Sequence, residues 1–223
     1  MCSRQELTSI PHLSDIQLFW EKRYNPDMKI DKVSTSDSKI CLTAGGILIH
    51  QGKILLIKHK KLGVWLSPGG HIEDKEMPHQ AAEREFWEET AIKVTAVSGQ
   101  PHSITDTQQT EYLPTPIYTN IHWISKQNYQ DRLEGKQVKG RGCERHLAGF
   151  YLVKPVGSVE YKQNVEETDG IGWFTLDDVQ QLDTYPEVKQ EVKLAFELVP
   201  PSKAWRTADE LPPSSSLADA LEV

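Results

Sequence analysis

The chain has 223 residues, 38% of them hydrophobic and 26% charged, with a formal net charge of −7. That balance fits one soluble globular domain with attachments. The acidic sign argues against nucleic acid as the main partner, because a phosphate backbone needs a basic footprint; a small phosphate ligand stays open, since a bound divalent cation reverses the local sign. The cysteines, Cys2, Cys41 and Cys143, are odd in number and widely spaced, with no CxxC. They predict neither a disulfide framework nor a structural zinc site, and they point to a reducing, cytoplasmic compartment. The first fifteen residues lack the apolar run of a signal peptide. No window approaches eighteen apolar residues, so no membrane span is expected.

Residues 1–38 read as an N-terminal arm, with Ser14-Asp15 capping a short helix through about Tyr24. From residue 39 the texture changes. Two β-branched runs, Gly46–His50 and Lys53–Lys58, flank Gln51-Gly52, as in a two-residue hairpin. The next strand fragment ends in Ser67-Pro68-Gly69-Gly70. Pro78 suits a first helical turn, and HQAAEREFWEET (79–90) is rich in helix formers. Ile92–Val97 returns to strand composition. IYTNIHWI (117–124) and HLAGFYLVKPV (146–156) read as strands, with 125–145 a long polar loop between them. GIGWFTLDDVQQL reads as a strand entering a short helix with Asp177 or Asp178 near its start. Pro186–Leu198 reads as a helix with Val188, Val192 and Ala195 on one face. Residues 200–223 form a Pro/Ser-rich tail expected to be flexible. Strands interleaved with helices give an α/β (α+β) fold rather than a bundle.

The densest chemistry lies at REFWEET (84–90). On a helix, positions i, i+3 and i+4 share one face, so Glu85, Glu88 and Glu89 gather there, with Arg84 beside them and Glu76 upstream. Like charges at this spacing repel by a few tenths of a kcal/mol per pair. A hard cation, Mg²⁺ or Mn²⁺, would relieve that repulsion and suits an all-oxygen donor set. A solvated acidic helix face explains the same run without a ligand.

Residues 70–92, GHIEDKEMPHQAAEREFWEETAI, resemble the Nudix box: Gly, five residues, Glu, seven residues, Arg-Glu-apolar-any-Glu-Glu-any-Gly-apolar. Gly70, Glu76, Arg84, Glu85, Phe86, Glu88, Glu89 and Ile92 fall in place. Ala91 stands where the family has Gly, a position where positive φ is costly for a side chain. The resemblance covers residues 40–198, within a domain taken as 39–199. It implies an α/β/α sandwich with a mixed sheet between helices. It further implies that Glu85, Glu88 and Glu89 bind the metal, joined by the Gly69 carbonyl and by Glu167 rather than Glu166. Arg84 would pair with Glu76 and hold the loop at Gly70 against the helix.

The implied activity is metal-dependent hydrolysis of a diphosphate linkage in a nucleoside diphosphate derivative. A normal or oxidised nucleoside triphosphate, cleaved to monophosphate and pyrophosphate, is the preferred substrate. ADP-ribose or another nucleotide sugar is the alternative within that class; RNA-cap hydrolysis and a non-catalytic nucleotide-binding module are the others. The intact carboxylates favour an enzyme. Candidate base-stacking groups are Trp65, Tyr118, Trp123 and Tyr151, all of which also suit a core. His146 is a candidate hydrogen-bonding group, and Lys136, Lys139, Arg141 and Arg145 form a basic stretch suited to a distal phosphate. A homodimer is in keeping with the resemblance.

Overall fold

A computed structural model describes residues 37–98 and 106–199. The expected helix after Ser14-Asp15 and the tail 200–223 lie outside the described residues, as does most of the arm 1–38. Among the described residues no helix is long and apolar enough to cross a membrane.

Two sheets share the core. The first is mixed: β5 (Gly69–His71), β1 (Ile40–Ile47), β8 (Arg145–Pro155) and β6 (Val94–Val97) lie in that order, and β7 (Tyr118–Trp123) pairs with the first half of β8. β1 and β8 run parallel, from Ile40 opposite Arg145 to Ile47 opposite Leu152. The second sheet is antiparallel and centres on β3 (Lys53–His59), which pairs with β2 (Ile49–His50), β4 (Trp65–Leu66) and β9 (Thr168–Phe174). The expected strand at Gly46–His50 in fact starts at Ile40. It breaks at Leu48 and passes into the second sheet. The hairpin at Gln51-Gly52 forms as expected, with φ of 47° and 73°, the left-handed pair that the twist of the flanking strands requires.

Helices cover both faces. α1 (Pro78–Thr90) packs Ala81, Ala82 and Phe86 onto one side, against Ala44, Leu55, Tyr151 and Val153. On the other side α3 (Leu176–Gln181) and α4 (Pro186–Leu198) bring Val179, Val192 and Ala195 against Ile47, Ile54, Leu56 and Leu152. Alternate residues of β3 and β8 thus face opposite helices, which is why both strands read as unbroken apolar runs. Gly46 is needed here: a β-carbon would come within 2.8 Å of the Phe86 ring.

The stretch 125–145 departs from the loop expected of it. Lys126–Leu133 forms a helix, α2, capped by Ser125, whose hydroxyl accepts from Asn128 N at 2.9 Å. Little apolar burial holds it. Its anchor is Glu144, fully buried, which engages the Arg132 guanidinium and accepts from Lys39 N at 2.7 Å. The guanidinium holds the Glu144 carboxyl below the usual carboxylate range, so its contribution is present above about pH 4.5 and is lost as the pH falls through its lower folded value. Glu144→Ala is expected to destabilise the fold by about 2 kcal/mol. That is less than a fully buried pair costs to break, because water reaches Arg132; urea denaturation at pH 7 measures it.

The cysteine expectation is corrected. Cys41 and Cys143 are joined as a disulfide, with Cα atoms 5.8 Å apart across a sequence separation of 102. Parallel pairing of β1 with β8 closes that distance: Cys41 stands opposite His146, three residues past Cys143. Nothing local in sequence marks such a pairing.

Candidate active site

The sharp approach to α1 sets the site. β5 pairs with β1 so that Gly69 lies opposite Gly45 and Gly70 opposite Ala44. A β-carbon on Gly69 would come within 2.7 Å of the Ala44 carbonyl oxygen, and one on Gly70 would overlap the Glu85 carboxyl. Both glycines let backbone lie directly against its neighbours. Gly69 N donates to Glu89 Oε2 at 3.0 Å.

Arg84 ties loop to helix. Its Nε and Nη2 donate to the two Glu76 oxygens at 2.9 and 3.0 Å, and Nη2 also donates to the His71 carbonyl at 2.8 Å. Glu76 in turn accepts from Glu73 N at 3.0 Å. Nη1 sits between two carboxylates of the helix, 2.8 Å from Glu85 Oε1 and 3.0 Å from Glu88 Oε2. One guanidinium therefore offsets part of the repulsion built into REFWEET. Hydrogen bonding to Arg84 holds Glu76 below the usual carboxylate range.

Glu89 is 4% exposed, and burial pushes its carboxyl up to about 8 against the opposing pull of the Gly69 N–H, with the Glu85, Glu167 and Glu88 charges adding to the rise. Burial also raises Glu85; Arg84 opposes this, while Glu88 and Glu167 reinforce it. Four carboxylates thus act on one another in a partly dry site. Such a donor set fits a hard divalent cation, which would relieve a strain that Arg84 relieves only in part.

The two late glutamates part company. Glu167 acts on both Glu85 and Glu89, whereas Glu166 N–H turns back to Asn164 Oδ1 at 3.1 Å. Asn164 is a residue that sequence reasoning missed. Its N–H donates to the Glu89 carbonyl and its Nδ2 to the Glu88 carbonyl, both at 3.3 Å. It thereby fastens the end of α1 to the segment carrying Glu167. A lone Asn in a polar stretch gives no signal for this.

Ala91 closes α1 in the left-handed region, at φ 61° and ψ 7°, with its N–H donating to the Trp87 carbonyl at 2.7 Å. The helix exit that a glycine would make without strain is made here at a cost of about 1 kcal/mol. Ala91→Gly is accordingly expected to raise stability by up to about 1 kcal/mol, offset in part by the greater entropy of the unfolded glycine chain. A shift of the thermal midpoint to lower temperature would contradict this.

The aromatic candidates scatter. Trp65 meets Phe174 edge-on at 4.8 Å and joins the α4-side core. Tyr118 stacks on Phe150 at 5.0 Å and donates to Glu191 Oε2 at 3.1 Å. Tyr151 lies in the α1-side core. Trp123 meets Tyr129 edge-on and lies under the Arg145 guanidinium. Arg145 is therefore a buried strand residue and not part of a basic loop. His146 sits between His71 and His122, its pKa lowered to about 4 by burial first and by those two imidazoles second.

A NUDIX domain model matches residues 40–196. The chain belongs to the Nudix family. A MutT-like protein of Streptomyces ambofaciens is 41% identical over 138 residues, 62% of this chain and 65% of that protein. The chain thus spans just under two thirds of that relative's length. A crystal structure of a hydrolase of the NUDIX family from Clostridium perfringens superposes with a TM-score of 0.56 at 24% identity, over 71% of this chain and 97% of that one. That likeness speaks for the Nudix fold, in which helices sandwich a mixed sheet.

Proposed function

We propose that this Nudix protein is a metal-dependent pyrophosphohydrolase that cleaves the diphosphate linkage of a nucleoside diphosphate derivative. The observation that carries the reading is the Arg84 cluster: one guanidinium bound to Glu76, Glu85 and Glu88, with the buried Glu89 carboxyl beside it under the influence of the Glu85, Glu167 and Glu88 charges. Glu85, Glu88, Glu89 and Glu167, with the Gly69 carbonyl, would hold Mg²⁺ or Mn²⁺. When bound, that cation supplies charge stabilisation for the phosphoryl oxygens and acidifies water.

The chain's own groups do the rest. Arg84 and Glu76 fix the Gly69-Gly70 backbone against α1, so that the site is set before substrate arrives. Glu85 has one oxygen, Oε1, tied to Arg84. We assign to its other oxygen, Oε2, the orientation of the attacking water and acceptance of its proton. The in-line attack breaks one P–O–P linkage and leaves two phosphate products.

Within this class we place a nucleoside triphosphate, normal or oxidised, first. The test is product analysis over a panel of canonical and oxidised triphosphates, ADP-ribose, dinucleoside polyphosphates and coenzyme A, with and without Mg²⁺. Pyrophosphate with nucleoside monophosphate is expected, and is expected to vanish in Glu88→Gln. AMP with ribose phosphate from ADP-ribose would move the assignment to nucleotide sugars. No turnover of any compound, with nucleotide binding intact, would favour a binding module.

A further inference from the structure

The register of the first sheet gathers a second set of ligands that the Nudix chemistry does not use. Across β5–β1, His71 is opposite Thr43, and Cys41 lies two residues from Thr43 on the same face. Across β1–β8, Cys41 is opposite His146, and across β8–β7, His146 is opposite His122. Four adjacent strands therefore project His71, Cys41, His146 and His122 from one face of the sheet. It is the face opposite to Gly70 and Glu85, because His71 and Gly70 alternate along β5. Cys143 joins from the turn before β8, held by the Asn128 amide, which donates to its carbonyl at 3.0 Å.

The side chains meet. Ligand atoms of Cys41, His71 and Cys143 all lie within 4.8 Å of one another. His71 Nε2 is 3.2 Å from Cys143 Sγ, and the His71 and His146 rings are 4.9 Å apart. Among the described residues, His146 Nε2 is buried with no hydrogen-bond partner. A disulfide alone has no use for two imidazoles beside it, and a buried ring nitrogen left without a partner costs free energy. Two sulfurs and the His71 imidazole converge, and the His146 ring stands beside His71; two sulfurs with two imidazole nitrogens are the donor set of a structural zinc ion, and they are too soft for Mg²⁺.

We propose that Cys41, His71, Cys143 and His146 form a zinc site in the dithiol state of the protein. The disulfide is the oxidised counterpart of that site. A dithiol reductant supplies two electrons, and two protons complete two thiols. One Zn²⁺ then displaces those two protons and is held by two thiolates and two neutral imidazoles. The ion would clamp β5, β1 and β8 together behind the Nudix loop, since the carbonyl of the same His71 holds Arg84.

The experiment uses the full chain, reduced with a dithiol, cleared of metal and supplied with Co²⁺ or Zn²⁺ in excess Mg²⁺. One tightly held Zn²⁺ per chain is expected, as are the ligand-field and thiolate charge-transfer bands of tetrahedral Co²⁺. Cys41→Ser is expected to weaken the ion by more than about 100-fold, beyond what loss of an outer partner costs, and to abolish the charge-transfer band in large part. His146→Gln is the milder variant, expected to alter the Co²⁺ spectrum in a chain that still folds. Glu88→Gln is expected to keep the zinc, which separates this site from the Nudix carboxylates. A reduced chain that takes up neither ion overturns the proposal and leaves Cys41–Cys143 as a plain disulfide. So does an unchanged Co²⁺ spectrum in both variants.

Discussion

Glu85→Gln is expected to lower kcat by about 10² to 10⁴, the span associated with removing a positioned general base, while KM and folding stability change little. The substitution is nearly isosteric. The amide oxygen can still accept from Arg84 Nη1, now 2.8 Å from Glu85 Oε1, and the side chain can still lie over the Gly70 backbone. What is lost is a negative charge, a metal-holding carboxylate and a proton acceptor, so at saturating Mg²⁺ the effect should fall on chemistry. Glu76→Gln offers the contrast. It leaves every proposed metal ligand in place but weakens the clamp on the loop, and a loss of about 10- to 100-fold is expected, as for other outer partners. Steady-state kinetics on the substrate identified by product analysis, with thermal melting of each variant as the control, separates the two. A Glu85→Gln enzyme retaining more than about a tenth of native kcat would remove Glu85 from the chemistry and pass the base to another group, Glu167 being the nearest in charge.

Where information was local, the sequence disclosed it. Helix α1 is readable from Pro78 and a run of helix formers; Ala82 and Phe86, four residues apart, place its apolar face, and the hairpin at Gln51-Gly52 follows from turn chemistry. The relation of Glu76 to Arg84 came from the Nudix resemblance and has its counterpart in two hydrogen bonds. Helix α2 went unread because its stability is not local: a polar segment with only Asn128 buried is held by a carboxylate eleven residues beyond its end. The Cys/His cluster was hidden for a related reason. Its members sit at 41, 71, 143 and 146, and only the β5–β1–β8 register makes them neighbours. Trp65 and Tyr118 suit stacking on a base, yet each finds an aromatic partner within the fold.

The metal-free protein is expected to lose stability as the pH rises from about 5 to 8, which is opposite to the usual behaviour of paired carboxylates. The sign follows from Glu89. Its carboxyl titrates near 4.5 when unfolded but is raised to about 8 in the fold. Between those values the native state holds a proton that the unfolded chain has released, so raising the pH favours unfolding. The full gap corresponds to roughly 4–5 kcal/mol at 1.36 kcal/mol per unit. Relaxation of the cluster and entry of water reduce this, and a fall of about 3 kcal/mol is expected. Added Mg²⁺ is expected to reverse the slope, since a cation prefers the ionised cluster and its stabilising effect grows as the proton leaves. Glu89→Gln should flatten the metal-free profile and raise stability at pH 8 while abolishing turnover, the combination that distinguishes a strained functional group from a structural one. Urea midpoints at half-unit intervals, in chelator and in Mg²⁺, give the answer. A metal-free profile that is level from pH 5 to 8 would mean that Glu89 is ionised in the fold, with its charge already met by the Gly69 N–H.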